Sequence, residues 1–139
     1  MEEMKLSREF GLDLTANQTG YECQLEYGKL QIAAMPEMGY TAHQLLVAAT
    51  AACGGIVFGM IAKKMRLNVM GVHIRADALR NPDEANRVEE IDLHYVVTGR
   101  DLRPGAVAQA IELAHKNCPV AQSIEGAIKV TETFEIIEG

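Results

Sequence analysis

Three cysteines, Cys23, Cys53 and Cys118, and four histidines, His43, His73, His94 and His115, hold most of this chain's capacity for nucleophilic, redox or metal chemistry. Cys118 lies in Asn117-Cys118-Pro119-Val120, where Pro119 breaks one helical pattern and opens the next. A thiol at a helix N-terminus sees the positive end of the dipole, so a lowered pKa is expected there. Cys53 falls in the middle of a long uncharged segment, where cysteine packs like a small hydrophobe or, if ionised, acts as a nucleophile. Cys23 sits in an early strand pattern and is expected only to pack. His115 precedes Cys118 by three residues, but no second such pair and no C-x-x-C follows, so no metal site is expected. His43 stands ten residues before Cys53, just under three helical turns and about 15 Å along one helix. His73, His94 and His115 read as surface or rim residues. There is no Gly-rich phosphate loop, G-x-S-x-G elbow or H-E-x-x-H, and no cofactor is expected. Glu89, Glu90, Asp92 and Glu112 have the scatter of solvated faces.

The elements that position these residues follow from periodicity. Lys5–Leu14, Tyr21–Tyr27 and Leu30–Met35 read as strands, joined by turn chemistry at 16–20 and at Gly28-Lys29. Tyr21, Cys23, Leu25 and Tyr27 are expected on one half-buried face. Thr41 fits an N-cap, and a helix is predicted from about 42 to 66, closing on Lys63-Lys64 and Arg66. Residues 69–80 and 88–98 alternate as a hairpin, with Val72, Ile74, Ala76 and Ala78 on one face of the first run. Ile91, Leu93, Tyr95 and Val97 share a face of the second. Pro104 starts a helix whose apolar stripe is Val107, Ala110, Ile111 and Ala114. A short helix from Pro119 to about Glu125 and a strand over 127–138 complete the order βββ-α-ββ-α-α-β. That order is a mixed α+β fold rather than an alternating βαβ one. No repeat or linker divides it, so one domain over 1–139 is expected.

From Leu45 to Ala62 the long helix carries 18 residues without a charge. That is the lower limit of a bilayer span, but five of them are Ala and three are Gly, and a span would split the strand systems across a membrane. A soluble helix that is apolar all round must be covered all round. One small sheet covers one face, so a second copy of the chain is expected to cover the rest, with Gly55 and Gly59 spaced for close helix approach. A monomer with the following helix over the open face is the alternative.

Composition narrows the partners. The chain has 139 residues, 48% apolar and 23% charged, with a net charge of −6, 5% aromatics and no Trp. The acidic balance excludes nucleic acid and anionic membranes as expected partners, and the lack of aromatics excludes a base-stacking platform. The odd cysteine count leaves at least one thiol free or paired between chains. The acidic start has no apolar leader pattern, so a reducing cytoplasm is expected.

Residues 39–53, Gly-Tyr-Thr-Ala-His-Gln-Leu-Leu-Val-Ala-Ala-Thr-Ala-Ala-Cys, resemble the motif G-T-N-P-E-E/Q-L-L-x-A-A-x-x-A-C of the OsmC/Ohr family, the osmotically inducible and organic-hydroperoxide-resistance proteins. Cys118-Pro119-Val120 resembles that family's second motif, C-P-V, and the element order agrees over nearly the whole chain. The resemblance implies an OsmC-like α+β fold, with mixed sheets around a long central helix in an intertwined homodimer. It implies a thiol peroxidase active in oxidative-stress defence. Cys53 would be the peroxidatic thiolate that reduces an organic hydroperoxide and becomes a sulfenic acid. Cys118 would be the resolving thiol that condenses with it to a disulfide, which an external dithiol reduces. Apolar surroundings at Cys53 favour fatty or aryl substrates. Where the family's active peroxidases carry Glu this chain has His43, and no Arg stands in the Thr15–Gly20 turn; Arg8 is the only N-terminal arginine. Protonated His43 is the expected cation beside the thiolate, and the chain resembles the OsmC-like branch. Two alternatives share the scaffold: a non-enzymatic redox sensor or binder of small hydrophobic ligands, and a packing-only role for both cysteines.

Overall fold

The computed structural model describes residue 6 and residues 9–139. The chain divides into two compact units, Met1–Gln44 and Leu45–Gly139. The first carries a three-stranded antiparallel meander of β1 (Leu14–Ala16), β2 (Gly20–Gln24) and β3 (Lys29–Ala33). Asn17 forms the first turn by accepting from the Gly20 and Thr19 N–H groups at 2.9 and 3.2 Å. Of the strand expected over 5–14, Lys5, Ser7 and Arg8 lie outside the described residues, and residues 9–13 form no strand. Phe10 and Leu12 are exposed. Cys23 is buried, as expected of a packing residue, but Tyr21 and Tyr27 are exposed. Tyr21 sits near the start of a five-residue strand and Tyr27 in the turn beyond it, where short partner strands give no cover.

The long helix α1 (Ala42–Lys64) opens on a capping box. Thr41 Oγ1 accepts from the Gln44 N–H and Gln44 Oε1 accepts from the Thr41 N–H, both at 3.3 Å. It closes on paired 6→1 and 5→2 bonds, Leu67 N–H to the Ala62 carbonyl and Arg66 N–H to that of Lys63. Arg66 takes the left-handed conformation, φ 60°, that this closure requires.

The second unit is built on β4 (Val69–Asn81), β5 (Arg87–Gly99) and β6 (Lys129–Glu138), with β5 in the middle. β4 and β5 form the predicted antiparallel hairpin; β6 runs parallel to β5. A parallel partner demands a long crossover. It is supplied by α2 (Pro104–Asn117) and α3 (Pro119–Ile124). Ile91, Leu93, Tyr95 and Val97 form the buried face of β5, and Val107, Ala110, Ile111 and Ala114 the buried stripe of α2, as their periods require. On edge strand β4 only Ile74 and Ala76 of the expected face are half-buried; Val72 and Ala78 are exposed.

α1 buries Thr50, Gly54, Phe58 and Ala62, one residue per turn. Gly54 and Gly55 bring it close to the sheet: a Cβ on Gly54 would stand 2.9 Å from Tyr95 Oη, and one on Gly55 2.9 Å from Ile74 Cδ1. A Cβ on Gly59 would meet nothing within 4 Å among the described residues. The opposite stripe of Ala49, Ala52, Ile56 and Met60 is exposed, Ile56 by 66% and Met60 by 59%. By length and composition α1 could cross a bilayer, but its packed stripe makes it the core helix of this unit.

Candidate active site

Cys118 stands at the corner between α2 and α3, with extended backbone (φ −83°, ψ 113°). Pro119 enforces this, because a residue before proline is pushed out of the helical region. The corner is tied down on both sides. The Asn117 side-chain amide donates to the Leu113 carbonyl at 2.8 Å, and that of Gln122 to the His115 carbonyl at 3.1 Å. Cys118 Sγ accepts the Ala121 N–H at 3.5 Å and so caps α3.

The helix start does not lower the Cys118 pKa as the sequence suggested. Cys118 is only 1% exposed. Burial, with the neighbouring Cys53 thiol, pushes it above the ordinary thiol value, and the backbone N–H groups of Ala121 and Val120 only partly offset this. A six-residue helix has too small a dipole to reverse burial. Cys53, 65 positions earlier in the chain, contributes to this perturbation, so the fold brings the two thiols into one neighbourhood. Cys53 is half-buried on α1, at the margin between its packed and open stripes, and all three cysteines are free thiols.

Tyr95 sits beneath the pair. It is fully buried, its ring packs on Phe58 with centroids 5.5 Å apart, and its hydroxyl reaches α1 at Gly54, next to Cys53. Tyr95 Oη has no hydrogen-bond partner among the described residues. Leaving such a group unpaired costs about 1–3 kcal/mol. Burial raises its pKa, and the nearby charges of Glu132, Cys118 and Cys53 raise it further, so the hydroxyl keeps its proton.

Glu132 lies on β6 in line with the half-buried Val130, Phe134 and Ile136. His115, from the last turn of α2, holds it: His115 Nδ1 is 3.0 Å from Glu132 Oε2, and Nε2 is 3.3 Å from Glu125 Oε2. His115 is therefore bracketed by two carboxylates rather than an ordinary rim residue. Burial raises the Glu132 pKa above the usual carboxyl value, against the lowering effect of His115. The folded chain thus holds this proton more tightly than the unfolded chain. The group's contribution to stability is present in acid and is lost as pH rises through the raised value. Glu132→Gln should remove this slope, so the wild-type urea midpoint should fall relative to the variant's as pH rises above the ordinary carboxyl value of about 4.3.

Two grooves flank the site. An apolar one of about 380 Å³ is lined by Val57, Met60, Ile61, Lys64, Asn117 and Pro119. Its lining includes Val57, one turn beyond Cys53, and Asn117 and Pro119, the chain neighbours of Cys118, but neither cysteine itself. A polar one of about 400 Å³ lies past His115, among Arg87, Glu89, Glu125 and Lys129, and no cysteine lines it. No group of three or more His, Cys, Asp or Glu suited to a metal occurs among the described residues. His43, in the first turn of α1, is exposed and belongs to the first unit, whereas Cys53 and Cys118 belong to the second. His73 is exposed; His94 bonds Thr133 Oγ1 at 2.7 Å and Glu135 at 3.1 Å on the outer sheet face, as a rim residue should.

Sequence reasoning missed Tyr95 and Glu132 as site residues. Glu132 had a signal: it interrupts an apolar period of two at a position that faces inward. Tyr95 had none, since alternation predicts its burial but not its missing partner.

A three-plus-three-stranded α+β chain, with one thiol on a long helix and another at a helical corner, defines a class of protein. The sequence pattern of the family described as OsmC-like protein matches residues 35–133. The chain belongs to this family. Protein YhfA of Escherichia coli K12 is 33% identical over 95 residues, covering 68% of this chain and 71% of that protein. An organic hydroperoxide resistance protein OsmC of Legionella pneumophila shares the fold with a TM-score of 0.69 at 19% identity, over 93% of this chain and 99% of that one. The organic hydroperoxide resistance protein OhrB of Bacillus subtilis does so at 0.63 and 20%, over 91% and 98%.

Proposed function

We propose that the protein reduces organic hydroperoxides in a redox stress defence, with Cys53 as the attacking thiolate and Cys118 as the resolving thiol. The observation that carries this reading is that Cys53 and Cys118, distant in the chain, are brought close enough in the fold to perturb one another. Their roles follow from environment. Cys118, buried and held above the ordinary thiol pKa, is the poorer nucleophile, whereas Cys53 is only half-buried. After attack, the Cys53 sulfenic acid and the Cys118 thiol condense to a disulfide and water, and an external dithiol restores both thiols. The family and the organic hydroperoxide resistance neighbours support the same reading. Stopped-flow oxidation by cumene hydroperoxide, followed by peptide mapping, tests it. Fast oxidation and a Cys53–Cys118 bond are expected; oxidation no faster than that of free cysteine would overturn it.

The sensor or ligand-binding alternative draws on the burial of Cys118, which slows any exchange at that sulfur. It predicts slow oxidation and retention of an apolar ligand. We further propose a homodimer that covers the exposed Ala49, Ala52, Ile56 and Met60 stripe, in a reducing cytoplasm that suits free thiols. His43 is the proposed cationic support of the thiolate. His43→Ala is then expected to slow both cumene hydroperoxide turnover and Cys53 alkylation, and unchanged values of both would exclude the role.

A further inference from the structure

We propose that the Tyr95 hydroxyl is a preset hydrogen-bond donor for the oxygen that departs when Cys53 breaks a peroxide bond, which makes Tyr95 a further catalytic residue. The inference rests on the peroxidase reading above. Tyr95 is fully buried, its Oη is unpartnered among the described residues, and that atom abuts the α1 backbone at Gly54, next to Cys53. A hydroxyl closed to bulk solvent and without an acceptor among the described residues is a costly feature unless an acceptor arrives. The reaction supplies one. The Cys53 sulfur attacks the distal peroxide oxygen; the S–O bond forms and the O–O bond breaks. Sulfur loses two electrons to become the sulfenic acid, which keeps the distal oxygen and its proton. The electron pair leaves on the proximal oxygen as alkoxide. Tyr95 donates to that oxygen as its charge develops, and the alkoxide takes a proton from solvent as it departs. A donor fixed by packing before charge appears need not reorganise during the step. Burial, and the charges near it, keep Tyr95 protonated, so the donor is present throughout the working pH range.

Tyr95→Phe deletes one unpartnered oxygen and keeps the ring against Phe58, so the fold is expected to be retained, with a urea midpoint at or above wild type. Two rates are compared on the reduced protein: oxidation of Cys53 by cumene hydroperoxide and its alkylation by iodoacetamide, which has no departing oxygen. Oxidation is expected to fall on the order of 10²-fold while alkylation stays within about twofold. Oxidation within about twofold of wild type, or oxidation and alkylation falling together, overturns the inference. If wild type reacts with cumene hydroperoxide no faster than with hydrogen peroxide, the organic-hydroperoxide reading fails by itself. The Tyr95 comparison is then made with hydrogen peroxide, whose departing hydroxide presents the same kind of oxygen, and the same two results decide it.

Discussion

Cys53→Ser is expected to lose peroxide reduction by on the order of 10³-fold or more, because the nucleophile itself is gone. Cys118→Ser is expected to differ in kind. The first oxidation of Cys53 should proceed within a few-fold of wild type and stop at a sulfenic acid, which dimedone traps as a mass adduct on Cys53. No intramolecular disulfide should form. The fold should tolerate the change, since Cys118 caps α3 through its side chain and serine is among the best residues for that position. Stopped-flow oxidation of each variant and intact-mass analysis after dimedone treatment read out both predictions. If Cys53→Ser retained oxidation and Cys118→Ser lost it, the roles would be reversed.

Phe58→Ala has the largest expected effect on stability. Phe58 is fully buried on the packed stripe of α1 and meets Tyr95 at an interplanar angle of 58°. Truncating a buried phenylalanine costs about 3–5 kcal/mol, through lost transfer energy and the cavity left behind. A domain of this kind has about 5–15 kcal/mol in total, so the urea midpoint should drop by a large fraction of its value. The loss also removes the ring that holds Tyr95 under the sulfurs, and oxidation of Cys53 should slow in the fraction that remains folded. A midpoint shift below about 1 kcal/mol would mean that α1 does not pack on the sheet through this residue.

The element order, and the places of Cys53 on α1 and Cys118 at the α2–α3 corner, were legible because they rest on local signals. Pro104 and Pro119 mark helix starts, Thr41 and Gln44 form a cap, and period-two alternation marks β4 and β5. The direction of β6 was not read, although the long stretch between residues 99 and 129 is a crossover length rather than a hairpin one. Three things lay beyond local pattern. Burial of Cys118 reverses the sign that its helix position suggests, and burial is a property of the packed chain. The inward placement of Glu132 depends on its alignment with Phe134, and its partner His115 comes from another element. The approach of α1 to the sheet depends on Gly54 and Gly55, whose value shows only when the atoms opposite them, Tyr95 Oη and Ile74 Cδ1, are known.

The seclusion of Cys118 has a consequence for recycling. In the oxidised protein an incoming dithiol would reach the Cys53 sulfur far more readily than the Cys118 sulfur, so the mixed disulfide forms on α1 and Cys118 is the leaving group. On the proposed cycle, a thiol held above its ordinary pKa leaves reluctantly, so release of Cys118 is expected to slow regeneration.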